Sequence, residues 1–213
     1  YRGSLRPPAP HLRMTVGFDC RGLTAGRVTL TADFLFLLAL LLYTGIGPVL
    51  GCCGLAATLH EMGHILCCRT LGVPVRRLRL SLVGAELDLG GRCRSGAEEC
   101  LVALAGPLVN LLTAALALAS PLPGQLHYFF AGASLMLALF NLLPVLPLDG
   151  SRVLHGALSA LCPLDRADRV TTAVSRLLKL ALLPPGAWCA ARGNPSLLVV
   201  AVWLILSEWG TNS

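Results

Sequence analysis

The sequence predicts an all-α polytopic membrane protein of about six transmembrane helices, with a small β-hairpin between the second and third spans. Three observations lead there. Of 213 residues, 55% are hydrophobic and only 13% are charged. Apolar runs approaching the ~20 residues that cross a bilayer recur along the chain. One of these runs, Val49–Leu71, contains His60, Glu61 and His64, ionisable side chains that are costly at membrane depth and so imply a purpose.

Taken in order, residues 1–30 form a basic arm with Arg2, Arg6, Arg13, Arg21 and Arg27 among three prolines, expected in the cytosol or at the interface, with room for short strands. Residues 31–154 are expected to hold the membrane core and its site, and residues 155–213 the C-terminal membrane helices. The first span, about Thr31–Gly47, is Leu-rich and shows no convincing cleavage site. Gly45, Gly47 and Pro48 make a tight connection to the second, about Val49–Leu71. Gly51, Gly54, Ala56, Ala57 and Gly63 keep that span small-sided, which permits close helix packing.

Between Val75 and Gly91 the pattern predicts two short strands about Gly84. They are either a plain cytosolic hairpin or a sheet edge able to take an extended peptide as an added strand. Ser95 with Glu98 three residues later reads as a capping box opening the third span, about Ala97–Ala119. That span is interrupted at Gly106-Pro107 and carries Asn110, an amide that either bonds a neighbouring helix or serves the site. Pro121, Pro123 and Gly124 reverse the chain into a fourth span, about Gln125–Leu143. Asp165, Arg166, Asp168 and Arg169 then form a polar patch. Val170–Leu183, with Arg176 and Lys179, is an amphipathic interfacial helix or a fifth span. Ser196–Ser207 is a last span, with Trp203 and Trp209 as interface anchors.

Charge sets the topology. The formal net charge is +6, but the arginines crowd near span ends, which reads as headgroup contact rather than nucleic-acid binding. The basic segments fall on one side of four spans, so the N-terminus is expected in the cytosol and the site toward the cytosolic face of this multi-pass protein. The nine cysteines include the adjacent pairs Cys52-Cys53 and Cys67-Cys68, not Cys-x-x-Cys ligand pairs, and no disulfide framework is expected.

His60-Glu61-Met62-Gly63-His64 is the chemical centre. On a helix His60 and His64 stand one turn apart on one face and can grip one divalent metal, most naturally Zn²⁺. Glu61, about 100° around the helix, is placed to act as general base without ligating. A third ligand is expected from Asp149. It follows Pro144 and Pro147, which stop regular helix, and precedes Gly150, so that irregular backbone presents the carboxylate. Isolated histidines in helices are usually core or surface residues, but burial in a span weakens that reading here. A membrane metal carrier would have no use for Glu61, and a non-catalytic scaffold of the same fold would be expected to have lost a ligand or the base.

Gly106-Pro107-Leu108-Val109-Asn110 and Asn141-Leu142-Leu143-Pro144-Val145-Leu146-Pro147-Leu148-Asp149-Gly150 follow the histidine motif in the order seen in site-2-protease intramembrane metalloproteases. The chain resembles that family over roughly Phe34–Leu154, most nearly its stage IV sporulation protein FB type. The resemblance implies one Zn²⁺ per chain on His60, His64 and Asp149, with Glu61 as the catalytic base. It further implies that Asn110, Asn141 and Pro144, with Leu82 and Leu87 of the hairpin, contact the substrate. Its partners would be a membrane-associated protein substrate, such as a sigma-factor precursor, the lipid bilayer, and a regulatory membrane protein. The stretch from His64 to Gly106 is too short for the PDZ domain some members insert, and no nucleotide-sensing CBS domain is expected after the last span.

Overall fold

A computed structural model of the chain describes residues 16–19, 22–25, 28–31, 47–73, 75–81, 84–89, 95–120 and 124–209. Strands β1 (Val16–Asp19), β2 (Gly22–Ala25), β3 (Val28–Thr31), β4 (Val75–Ser81) and β5 (Gly84–Leu89) form one sheet in that order. β3 and β4 run parallel and the other neighbours antiparallel. The register sets Leu78 opposite Leu87 and Arg79 opposite Glu86. Because alternate residues share a face, Leu78, Leu80, Ala85 and Leu87 occupy one face with Val28 and Leu30 of β3, while Arg77, Arg79, Glu86 and Asp88 occupy the other.

This sheet overturns the all-α class. The strands after the metal-motif helix are two of five, and the other three come from the basic arm. The arm's Val16, Thr24, Val28, Thr29 and Thr31 are β-branched and suit a pleated surface. Short strands need a partner to satisfy their backbone, and β3 finds one in β4.

The described helices are α1 (Gly47–Thr70), α2 (Gly96–Ala119), α3 (Leu126–Asn141), α4 (Asp149–Ser159), α5 (Leu164–Ala181), α6 (Leu183–Ala191) and α7 (Ser196–Trp209). The expected count of spans is also corrected. Among the described residues, α1 and α2, 24 residues each, are long and apolar enough to cross a membrane. At 1.5 Å per residue each measures about 36 Å against a hydrocarbon core of ~30 Å. α3, with 16 residues, reaches only about 24 Å, because Pro144 and Pro147 prevent its continuation. α7 is apolar but short, and the first half of α5 carries Asp165, Arg166, Asp168 and Arg169. Of the first expected span, residues 32–46 lie outside the described set.

The bundle is small inside and large outside. Ala103, Ala114, Ala131, Ser134 and Ala138 are buried, whereas Leu66, Leu108, Leu116 and Met136 are more than half exposed. A water-soluble core has the opposite arrangement. Small residues let backbones approach, and an outer belt of leucine suits lipid. At the α1–α2 crossing, a Cβ on Gly63 would lie 2.7 Å from the Ala105 carbonyl oxygen and 3.0 Å from Val109 Cγ2. The close approach that Gly63 allows brings the histidine face of α1 onto α2. Ser95 caps α2, its hydroxyl accepting the Glu98 N–H at 3.2 Å, and Pro107 sits buried inside the helix.

Candidate active site and metal centre

α1 presents His60 and His64 inward, both nearly fully buried, with their rings edge to face and centroids 4.7 Å apart. The two Nε2 atoms are 3.1 Å apart. Asp149 Oδ2 lies 3.0 Å from His60 Nε2 and 3.2 Å from His64 Nε2. Three potential ligand atoms thus form a nearly equilateral triangle. Ligand atoms about 2.1 Å from a tetrahedral zinc stand roughly 3.4 Å apart, so the triangle is close to the size such an ion requires. His60, His64 and Asp149 are the one group among the described residues whose donors could hold a metal ion. Glu61 follows His60, is half-buried, and does not belong to that group.

α2 supports both rings from behind. His64 Nδ1 donates to the Val102 carbonyl at 2.7 Å, which fixes the tautomer and leaves the Nε2 lone pair facing Asp149. His60 Nδ1 faces Asn110, 3.4 Å from its Nδ2, while Asn110 Oδ1 is buried without a partner. Amide oxygen and nitrogen are interchangeable by a half-turn. That half-turn would let Oδ1 accept from His60 Nδ1–H, satisfy the orphan oxygen, and give His60 the tautomer His64 already has. Gly106 completes the cradle. A Cβ there would collide with His64 Nε2 and sit 2.8 Å from His60 Nε2. The space above the ligand triangle therefore exists because residue 106 has no side chain. Donor chemistry, triangle size, the orphan oxygen and the glycine cradle all fit a resident zinc ion.

Asp149 arrives differently. It begins α4, after the irregular stretch 142–148. The chain folds back so tightly there that a Cβ on Gly150 would run into the Leu142 and Leu143 carbonyls. α4 is then pinned to α2. Gly96 and Gly156 cross where neither has room for a side chain, Cys100 Sγ donates to the Val153 carbonyl at 3.2 Å, and His155 Nδ1 meets Glu99 Oε2 at 2.9 Å. His155 Nε2 also meets Asp168 Oδ1 of α5 at 2.9 Å. Neither this buttress nor the pairing of the two glycines follows from the residue pattern alone. The one sequence signal was a glycine near the end of each crossing segment.

The other expected site residues are not gathered in the same way. Asn141 Nδ2 donates to Leu137 O of its own helix at 3.0 Å, and Pro144 is half-buried in the stretch that leads to Asp149. Leu87 lies on β5 opposite Leu78. Leu82 lies outside the described residues.

Two histidines and a carboxylate meeting among small-sided apolar helices define a metallohydrolase-like centre in a membrane-type bundle. Residues 121–183, covering α3, the Asp149 loop, α4 and α5, match Peptidase family M50. Over that stretch the chain is similar to the M50 peptidases. It is 34% identical over 168 residues to Rip3 of Mycobacterium tuberculosis, whose name marks a candidate zinc metalloprotease, covering 70% of this chain and 40% of that one. It is 33% identical over 163 residues to stage IV sporulation protein FB of Bacillus subtilis, covering 73% of this chain and 55% of that one. The fold matches the solved site-2 protease of Methanocaldococcus jannaschii with a TM-score of 0.66 at 22% identity, over 89% of this chain and 91% of that one. The chain spans less than two thirds of the length of either curated relative. Zinc is the ion this family implies for the His60–His64–Asp149 group.

Proposed function

We propose that the chain is an intramembrane zinc metalloprotease, hydrolysing a peptide bond in or near the membrane segment of a protein substrate. The observation that carries this reading is the convergence of His60, His64 and Asp149 within 4.8 Å of one another, with Glu61 beside them and outside the ligand set. Zinc, when bound, supplies a Lewis acid that polarises a carbonyl and makes water a stronger acid. His60 and His64 hold it through Nε2, and Asp149 through a carboxylate oxygen. Glu61 takes a proton from the attacking water and delivers it to the departing amide nitrogen, so that the C–N bond breaks to give a carboxylate and an amine.

Peptide bonds in a helix are covered by their own hydrogen bonds, so substrate must reach the site extended. β4 is flanked by β3 and β5, so among the described residues β5 is the hairpin strand with an open side. Substrate adding to β5 would be held by main-chain bonds with its carbonyls at regular spacing. Proline at alternate β5 positions, Leu87 included, should depress cleavage at every second residue while zinc content holds, because only every second N–H faces the open side. Uniform cleavage across that scan would rule out docking at β5. Asn141 and Pro144, at the entry to the Asp149 loop, are further proposed substrate contacts, and Leu82 completes the hairpin set. The protein would be multi-pass with a cytosolic N-terminus and its site toward the cytosolic face. Its substrate would be a membrane-associated protein such as a sigma-factor precursor, with a membrane protein as regulator.

The testing experiment is proteolysis in liposomes with a membrane-peptide substrate. Cleavage should occur with zinc, stop on chelation and return on adding zinc. A preparation that holds one zinc per chain, cleaves no membrane peptide, and carries zinc across the bilayer would replace the protease reading with a metal carrier.

A further inference from the structure

We infer that Ser175, on α5 and 26 residues beyond Asp149, is a positioning residue for that candidate ligand. It acts through one hydrogen bond from the backbone of Leu146. The inference rests on the metal-site reading above and concerns how the carboxylate is held, not the hydrolysis.

Between Leu142 and Leu148 the chain has no regular structure to pair its N–H groups, and buried donors must still find acceptors. Leu142 donates to Ala138 O at 3.0 Å and Leu143 to Phe140 O at 3.1 Å, while Val145 and Leu148 donate to Leu143 O and Val145 O at 2.7 Å. Pro144 and Pro147 have no N–H to place. Leu146 alone bonds outside the neighbourhood, donating to Ser175 Oγ at 2.9 Å. Leu146 stands three residues before Asp149, in the middle of the turn. Among these N–H donors, the one that reaches another helix is that of Leu146.

α5 is shaped to provide it. The side it buries carries Ala167, Thr171, Ser175 and Lys179, four residues apart on one face, while Leu177 and Leu180 point outward. Beside Leu178, this face brings the Ser175 hydroxyl to the loop, where it accepts from a backbone N–H that the irregular stretch leaves without a local partner. Ser175 is fully buried, so water cannot replace its oxygen. Around the bond, Val145 and Leu148 of the loop pack with Leu178 of α5, Leu182 just after it, and Leu204 of α7. That packing supplies the seat, and Ser175 supplies the direction, because apolar contacts leave a loop free to slide whereas one hydrogen bond fixes its register. Ser151 Oγ, donating to Leu148 O at 2.6 Å, links the fixed loop to the first turn of α4.

The test uses the full chain in detergent, with cobalt as a spectroscopic stand-in for zinc. Ser175→Ala should change the cobalt d–d band and weaken zinc binding about tenfold, the scale of lost outer supports in metal sites. Thr171→Val, one turn away on the same buried face, should leave both at the wild-type value. Ser175→Cys keeps a weak, longer acceptor and should fall between, which also covers the case that Ser175→Ala folds poorly. A wild-type band and wild-type affinity in Ser175→Ala would overturn the inference. Equal losses in Ser175→Ala and Thr171→Val would do the same, since both would then report loosening of α5. A wild-type chain giving no cobalt band would overturn the metal reading itself, a result distinct from either.

Discussion

The two parts of the candidate metal site are held in opposite ways. His60 and His64 stand on α1, where helical geometry alone sets their separation and one neighbouring helix supports both rings. Asp149 stands at the end of an irregular stretch whose shape depends on α2, α5 and α7 together. A helix carries its own ligand spacing, because each residue's place is fixed by 3.6 residues per turn. A loop between prolines has no such internal ruler, and its ligand is only as well placed as the elements outside it. The contrast predicts that the histidine half fails when atoms near it change. The aspartate half should fail from a distance.

Removing a ligand has the largest effect. His60→Ala or His64→Ala should take zinc from one per chain to background by elemental analysis of purified protein. Asp149→Ala should also lose zinc, and retention of full occupancy there would remove Asp149 from the site. Gly150→Ala and Gly63→Ala sharpen the comparison. The first meets backbone carbonyls on its own loop and the second a carbonyl of α2. Overpacking of this kind costs about 1–3 kcal/mol of stability, measurable by thermal denaturation. Gly150→Ala should lower zinc affinity more than Gly63→Ala at equal loss of stability, because the displaced turn carries the ligand. The reverse order would contradict the division drawn here. Asn110→Ala should be the mildest, weakening zinc about tenfold by leaving His60 Nδ1–H without its acceptor. Asn110→Asp keeps an oxygen there and should recover most of that loss in a chelator competition.

What the sequence shows divides along the same line. The grouping of His60 with His64 is legible because an i, i+4 pair on a helix has one geometry whatever surrounds it. The limits of α1 and α2 are legible too, from apolar length and the Ser95 cap. The sheet is not, because its central pairing is parallel and joins β3 to β4 across the whole of α1. Strand pairing between distant segments leaves no periodic trace. Nor is the role of α5 visible. Ser175 meets Leu146 across 29 positions, and the one hint is hydroxyls and a lysine at four-residue spacing in Thr171, Ser175 and Lys179. Asn141 Nδ2 bonds Leu137 O of its own helix, a pairing the residue pattern does not show either.

The measurement that tests the central claim most directly is cleavage of a membrane-peptide substrate by Glu61→Gln, with zinc content determined on the same sample. Gln keeps the size and shape of Glu but cannot take up the proton, and Glu61 lies outside the ligand group. The account predicts one zinc per chain, a folded protein, and proteolysis reduced to background. Cleavage at the wild-type rate, with zinc in place, would contradict it.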